Sequence, residues 1–221
     1  MDLIDVPNVV PELREIVEAF MEITQNTHML NLGSGEFKKE GYINVDNDSI
    51  SEPEVRHNLD VFPYPFPDNY FSVIEADHVL EHLNHPFEVM KELYRISADG
   101  GTIRLRVPHF SRGFTHCDHK RGFDITFPYY FNPEFRPGYQ KVPLTLVRMR
   151  LKWFAQPYLK KDFLPTPVYF FGLLIGKIFD FFANLSPWIC SRLWCYWVGG
   201  FEEIEFVFKV KKILPIMDGR N

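Results

Sequence analysis

With 221 residues, the chain is long enough for one sizeable domain around a single well-buried core. Its hydrophobic share of 46% and charged share of 24% are those of an ordinary globular protein, and a net charge of −5 excludes a nucleic-acid partner held by clustered Lys and Arg. Three cysteines (Cys117, Cys190, Cys195) offer neither a pairing framework nor a CxxC metal knuckle, so reduced thiols in a cytoplasmic protein are expected. The opening Met1-Asp2-Leu3-Ile4-Asp5 lacks the basic and then apolar start of a secretory signal.

Residues 11–24 read as an amphipathic helix: Leu13, Ile16, Val17 and Phe20 recur at helical spacing, and Glu12, Glu15, Glu18 and Glu22 fill the other side. Residues 28–32 read as a short buried strand, Gly33-Ser34-Gly35 as a glycine turn, and residues 42–45 as a second strand with Asp46 at its tip. Ligands of open parallel sheets sit just beyond the carboxyl ends of such strands. Glycines there let the backbone come close to a bound molecule, and the acid at the next strand can accept from a ribose diol. The connection between the two strands is short, which predicts a helix cut to about one turn near residues 36–40.

Details of the turn discriminate among ligands. A phosphate-cradling P-loop needs Lys and then Ser or Thr, where this chain has Glu36-Phe37. A dinucleotide site wants a third glycine and an acid roughly 20 residues on, whereas Asp46 follows Gly33 by only 13 positions. Glu36 would also repel a pyrophosphate. A cationic sulfonium with an adenosine end fits better, with a plain βα turn as the competing reading.

Asn58-Leu59-Asp60-Val61 leads into a loop held extended by Pro63, Pro65 and Pro67, and Asp60 is expected at the end of a third strand. There it could accept from the exocyclic amine of adenine, or simply organise a turn. Residues 70–76 read as the fourth strand, followed at once by Asp77-His78-Val79-Leu80-Glu81-His82-Leu83. Together, Leu30-Asn31-Leu32-Gly33-Ser34-Gly35, Asn44-Val45-Asp46, Asp60, Pro65-Phe66-Pro67-Asp68-Asn69 and His78-Val79-Leu80-Glu81-His82-Leu83 resemble the "type 11" branch of the class I S-adenosylmethionine-dependent methyltransferases. The likeness covers residues 28–134, with 1–221 expected as one domain. It implies a Rossmann-like α/β fold with a seven-stranded, mostly parallel sheet, an antiparallel closing strand and helices on both faces. The implied cofactor is S-adenosyl-L-methionine. The resemblance assigns Gly33, Ser34 and Gly35 to its methionine moiety, Asp46 to the ribose, Asp60 and the Val61 backbone to adenine, and the strand end from Ala76 to His78 to the sulfonium.

Residues after His85-Pro86 read as a surface helix with Glu88, Lys91, Glu92 and Arg95 on its solvated face. Residues 102–107 read as the fifth strand. Arg104 and Arg106 are unexpected there, since central parallel strands are buried on both faces, and snorkelling under a covering helix is one account. His109 would end that strand facing the transferring methyl group, as a general base. His78 and His119 are the other candidate catalytic residues. A metal set of His109, His116, Asp118 and His119 is the sharper alternative, and a histidine-rich loop bonded to carbonyls the plainer one. The aromatic segment 127–131 is expected to wall the substrate pocket.

Residues 144–153 and 203–212 alternate as two antiparallel closing strands, with Glu203 and Glu205 opposed to basic residues. Between them, residues 155–200 form an aromatic, helical insertion. It is interrupted by Pro165, Pro167, Lys177, Asp180 and Pro187 and is therefore expected not to span a membrane. A lid over a hydrophobic substrate, a homodimer face, a peripheral membrane contact and a core extension are its four readings. The expected activity is methylation, by oxygen attack, of a small-molecule, sugar or lipid-like acceptor. Alternatives are a cofactor-binding dock without turnover and a nucleotide-sugar or NAD enzyme.

Overall fold

A computed structural model describes residues 27–113 and 116–212, so the helix expected at residues 11–24 lies outside the described residues. Seven strands form one sheet in the order β3-β2-β1-β4-β5-β7-β6. They are β1 (Met29–Leu32), β2 (Ile43–Asp46), β3 (Val55–Arg56), β4 (Phe71–Asp77), β5 (Ser97–Pro108), β6 (Leu144–Lys152) and β7 (Glu203–Val210). The first five run parallel, and β7 runs antiparallel to both β5 and β6. The strand order reverses between β1 and β4, which places the ligand crevice at their carboxyl ends.

One face of the sheet is apolar. Leu30, Leu32, Ile74, Ile103, Leu105, Phe206 and Phe208 are fully buried there. Helix α1 (Pro86–Ile96) brings Val89, Met90, Leu93 and Ile96 to the same core, with Pro86 in its first turn where no backbone N–H is required. Arg95 and Glu92 on this helix are anchors rather than solvated charges. Arg95 donates to the Tyr64 and Phe66 carbonyls, and Glu92 accepts from the Tyr64 amide, so the proline-rich loop is tied to α1. The aromatic segment 127–131 is a 3-10 turn whose Phe127 and Phe131 pack on Phe87, Phe206 and Phe208, so it extends the core.

The opposite face is polar, which resolves the arginines of β5. Glu75 and Asp77 of β4 stand in register with Arg104 and Arg106, and Arg106 in turn with Glu205 of β7. These side chains pair across the strands, so the arginines are matched by carboxylates on the sheet itself and do not snorkel. The expected helical turn at residues 36–40 is absent. Its place is taken by turns whose backbone is held by the Asn44 side chain: Oδ1 accepts from the Lys39 amide, and Nδ2 donates to the Lys39 and Tyr42 carbonyls. Asn31 Nδ2 donates to Asn44 Oδ1 at 2.8 Å and completes the stitch. A side chain that satisfies loop backbone removes the need for helical hydrogen bonds.

Two further expectations shift. The third strand is only two residues long, so Asp60 lies in the turn beyond it. The insertion is less broken than its prolines suggest. Helix α2 (Pro157–Lys160) precedes α3 (Thr166–Leu185), a single helix of 20 residues with mean hydropathy 1.5, long and apolar enough by length and composition to cross a membrane. Pro165 and Pro167 sit at its start and Pro187 beyond its end, where they break nothing. Its polar stripe is used by the sheet. Asn184 bonds both backbone groups of Leu151, and Asp180 accepts from the Trp153 amide, which lays α3 along the β6 edge. The closing strands pair as expected, with Lys152 opposite Glu203 and Arg150 opposite Glu205.

Candidate active site

The turn after β1 is built for close approach. Gly33 (φ +66°) and Gly35 (φ +47°) hold left-handed backbone, and the amides of Gly33 and Ser34 both donate to the Val45 carbonyl of β2. Beside this turn opens a cavity of about 740 Å³. The glycine turn forms one wall, the polar sheet face with Asp77, Arg106 and Glu205 the floor, and Phe154 with Tyr158 and Leu173 of the insertion the far wall.

Charge on the floor is laid out in alternation. Lys39 Nζ donates to Glu75 at 2.6 Å and to Asp77 at 2.9 Å. Arg104 pairs with Glu75 at 2.7 Å, Arg106 lies 3.5 Å from Asp77, and Arg148 pairs with Glu205 at 2.9 Å. Sequence reading missed this constellation. Its signal was the every-second-residue spacing of Glu75 and Asp77, Arg104 and Arg106, and Glu203 and Glu205 on three strands that become neighbours.

Two polar atoms at the cavity are left over. Ser34 Oγ and Asp77 Oδ1 are buried without a hydrogen-bond partner among the described residues. A ligand that brings both an ammonium and a carboxylate would satisfy both, and the methionine end of S-adenosylmethionine has that composition. Asp46 stands at the tip of β2, where it accepts from the Gly35 amide at 2.8 Å and the Asp48 amide at 2.9 Å. It therefore shapes the turn, and it stands beside the cavity rather than in its lining. Ser34 and Asp77 fit the methionine end of the cofactor.

At the adenine end the expected residues have other partners. Asp60 accepts from the Asn84 amide and side chain, both at 2.8 Å, which is the turn-organising role. The Val61 amide donates to Asn58, and its side chain is exposed. Ala76 is fully buried in β4, pairing with Leu32 on one side and Leu105 on the other.

Of the three candidate catalytic histidines, His78 alone lines the cavity. It follows β4 with φ +55°, a conformation uncommon outside glycine and often kept at functional positions. Its Nε2 lies 2.8 Å from Glu203, and its Nδ1 lies 3.3 Å from Glu81. Burial alone would lower its pKa, but the two carboxylates outweigh that and raise it to about 9.

His109 is fully buried at the end of β5, away from the cavity. Its Nδ1 bonds Ser111 Oγ at 2.7 Å and its Nε2 bonds Ser191 Oγ at 3.0 Å, and Ser191 continues to Asp124 and Arg192. This network joins β5 to the insertion, and both ring nitrogens are occupied by it. Burial depresses the His109 pKa to about 4. Between the unfolded value and about pH 4, the unfolded chain binds a proton that the folded chain does not, so stability falls on acidification through that window. Urea unfolding should show His109 contributing about 2 kcal/mol to the loss between pH 7.5 and pH 5. That share should vanish in His109→Gln. An equal pH dependence in the two proteins would refute the buried neutral imidazole.

His119 also stands off the cavity, beside His82 and His116. The four-residue metal set including His109 is not assembled, because His109 is bonded to Ser111 and Ser191.

A parallel sheet reversing between β1 and β4, a glycine turn at that point and an acid at the tip of β2 define the class I, Rossmann-like methyltransferase fold. The family model for a methyltransferase domain matches residues 8–105. The ubiquinone/menaquinone biosynthesis C-methyltransferase UbiE of Neisseria meningitidis serogroup C is 32% identical over 78 residues, covering 35% of this chain and 28% of that protein. The chain thus matches little more than a quarter of the length of these curated relatives. A Galdieria sulphuraria structure assigned as a sarcosine dimethylglycine methyltransferase superposes with a TM-score of 0.51 at 11% identity, over 91% of this chain and 85% of that one. An S-adenosylmethionine-dependent methyltransferase from Archaeoglobus fulgidus gives 0.49 at 16% identity, over 89% and 94%. Over residues 8–105 the chain is similar to methyltransferase domains, and S-adenosylmethionine is the cofactor this similarity implies.

Proposed function

We propose that this chain methylates a hydrophobic, lipid-like small molecule that reaches the cavity from an apolar interface. The observation that carries this reading is α3. One side of the helix walls the cavity through Leu173 and Gly176, while Phe170, Phe171, Leu174, Phe181 and Phe182 stand exposed on it. Trp188, Tyr196 and Trp197, later in the insertion, are also exposed, and such aromatic residues favour a lipid–water boundary. A contiguous exposed apolar surface of this kind marks an interaction site. The matched relatives, named for ubiquinone and menaquinone biosynthesis, also favour a lipid-like acceptor over a sugar.

When bound, S-adenosylmethionine supplies an electrophilic methyl group on a sulfonium. The chain supplies position. Gly33 and Gly35 admit the ligand, Ser34 and Asp77 meet its polar end, and Asp46 meets the ribose. His78, fixed by Glu203, is the candidate to touch the acceptor, and the insertion acts as a lid that keeps water out. Oxygen is the attacking atom in this reading. The matched relatives are named C-methyltransferases, and the 13C shift of a labelled methyl product separates the two outcomes.

The test is methyl transfer from labelled S-adenosylmethionine to lipid extracts carried in vesicles, compared with water-soluble acceptors. Wild type should co-sediment with vesicles and label a lipid. Phe170→Ser/Phe171→Ser/Trp197→Ser should lose vesicle binding at least about tenfold with cofactor affinity unchanged. Labelling of soluble acceptors alone, without vesicle binding, would refute the lipid reading. Vesicle binding with cofactor bound but never turned over would identify a dock.

A further inference from the structure

Glu81 is fully enclosed within the 3-10 turn Leu80–His82 that follows β4, yet neither of its carboxylate oxygens accepts a hydrogen bond among the described residues. A buried carboxylate that accepts no hydrogen bond has lone pairs to offer a second cation beside the His78 imidazolium. The His78 Nδ1 at 3.3 Å is near but poorly aimed, and the His119 Nε2 lies at 3.9 Å. One donor atom each from Glu81, His82 and His119 lies within 4.8 Å of the other two.

The two imidazoles are oriented from behind. His119 Nδ1 faces the Gly113 carbonyl at 2.6 Å, and His82 Nδ1 faces the Asp118 carbonyl at 3.3 Å. A carbonyl only accepts, so each Nδ1 carries the hydrogen and each Nε2 keeps its lone pair. Backbone carbonyls behind the second ring nitrogen are how proteins hold histidines that ligate metal. The loop that brings His119 is also fastened to the turn, since the Lys120 amide donates to the Glu81 carbonyl at 2.9 Å.

We propose that Glu81, His82 and His119 bind one divalent transition-metal cation. Two imidazole nitrogens and one carboxylate suit zinc or ferrous iron and are a poor match for magnesium or calcium, which take oxygen ligands. Bound there, the ion would neutralise Glu81 and pin the histidine loop to the carboxyl end of β4, one turn from His78. Neighbouring His116, Cys117 and Asp118 form a second group, but all three are exposed and none is an orphaned buried donor.

The full chain, stripped with chelator, would be titrated separately with Zn²⁺, Co²⁺, anaerobic Fe²⁺ and Mg²⁺, with bound metal counted by mass spectrometry and Co²⁺ followed by its visible absorption. One Zn²⁺ or Fe²⁺ per chain, a Co²⁺ spectrum of nitrogen–oxygen ligation and no Mg²⁺ are expected. Glu81→Gln and His119→Ala should each weaken binding about 100-fold or more, whereas Cys117→Ser should leave it unchanged. Circular dichroism checks each fold. If Glu81→Gln does not fold, His82→Ala and His119→Ala at half-buried positions decide. A chain that takes up no transition metal would overturn the proposal. So would binding that survives the Glu81 and His119 substitutions but is lost in Cys117→Ser.

Discussion

Gly33→Ala is expected to destabilise the domain by about 2–4 kcal/mol and to abolish cofactor binding. Two costs add. The residue sits at φ +66°, which an L side chain adopts only with strain, and the new Cβ would stand 2.6 Å from Val79 Cβ. Val79 belongs to the segment that joins β4 to the Glu81 turn, so the overlap pushes two parts of the site apart. Chemical denaturation measures the loss, and Gly33→Ala/Val79→Gly, which removes the opposing Cβ and is compared with Val79→Gly alone, separates its parts. The double variant should recover the steric share and keep the backbone strain. A single variant as stable as wild type would show that the turn is not confined as described.

Glu75→Ala is expected to cost about 2–3 kcal/mol, which is less than the loss on breaking a fully buried ion pair because both cations are about a quarter exposed. Glu75 accepts from Lys39 and Arg104 together, so its removal leaves two cations, of which Lys39 lines the cavity, with one carboxylate fewer. Lys39→Met should cost less, because Glu75 keeps Arg104. Equal losses in the two variants, read from urea midpoints at constant m value, would mean that Glu75 is not the hub of the floor.

The parts of the molecule legible from sequence were those set by local pattern. Alternation placed β6 and β7 and opposed Glu203 and Glu205 to basic residues, because a two-residue period survives any tertiary context. The glycine turn between β1 and β2 was legible because positive φ selects residue type directly. Failures have a common cause in long-range partners. Nothing near residues 36–40 reveals that Asn44 will hold that loop without a helix. His109 reads as an exposed base at a strand end until Ser191, 82 residues later, covers it. Prolines of the insertion read as interruptions because their position relative to a helix start is invisible until the helix is placed. Arg104 and Arg106 made no sense on a strand taken as buried on both faces, and they do on one whose second face is a charged floor.

Calorimetric titration with S-adenosylmethionine, S-adenosylhomocysteine and NAD in turn, on wild type and Asp46→Ala, tests the central claim most directly. Both adenosyl ligands should bind wild type saturably. Each should weaken about 100-fold in the variant, the loss expected for two hydrogen bonds to a charged acceptor. NAD should not bind. Binding of NAD alone, or adenosyl binding unchanged without the Asp46 carboxylate, would contradict a cofactor crevice at the ends of β1 and β2.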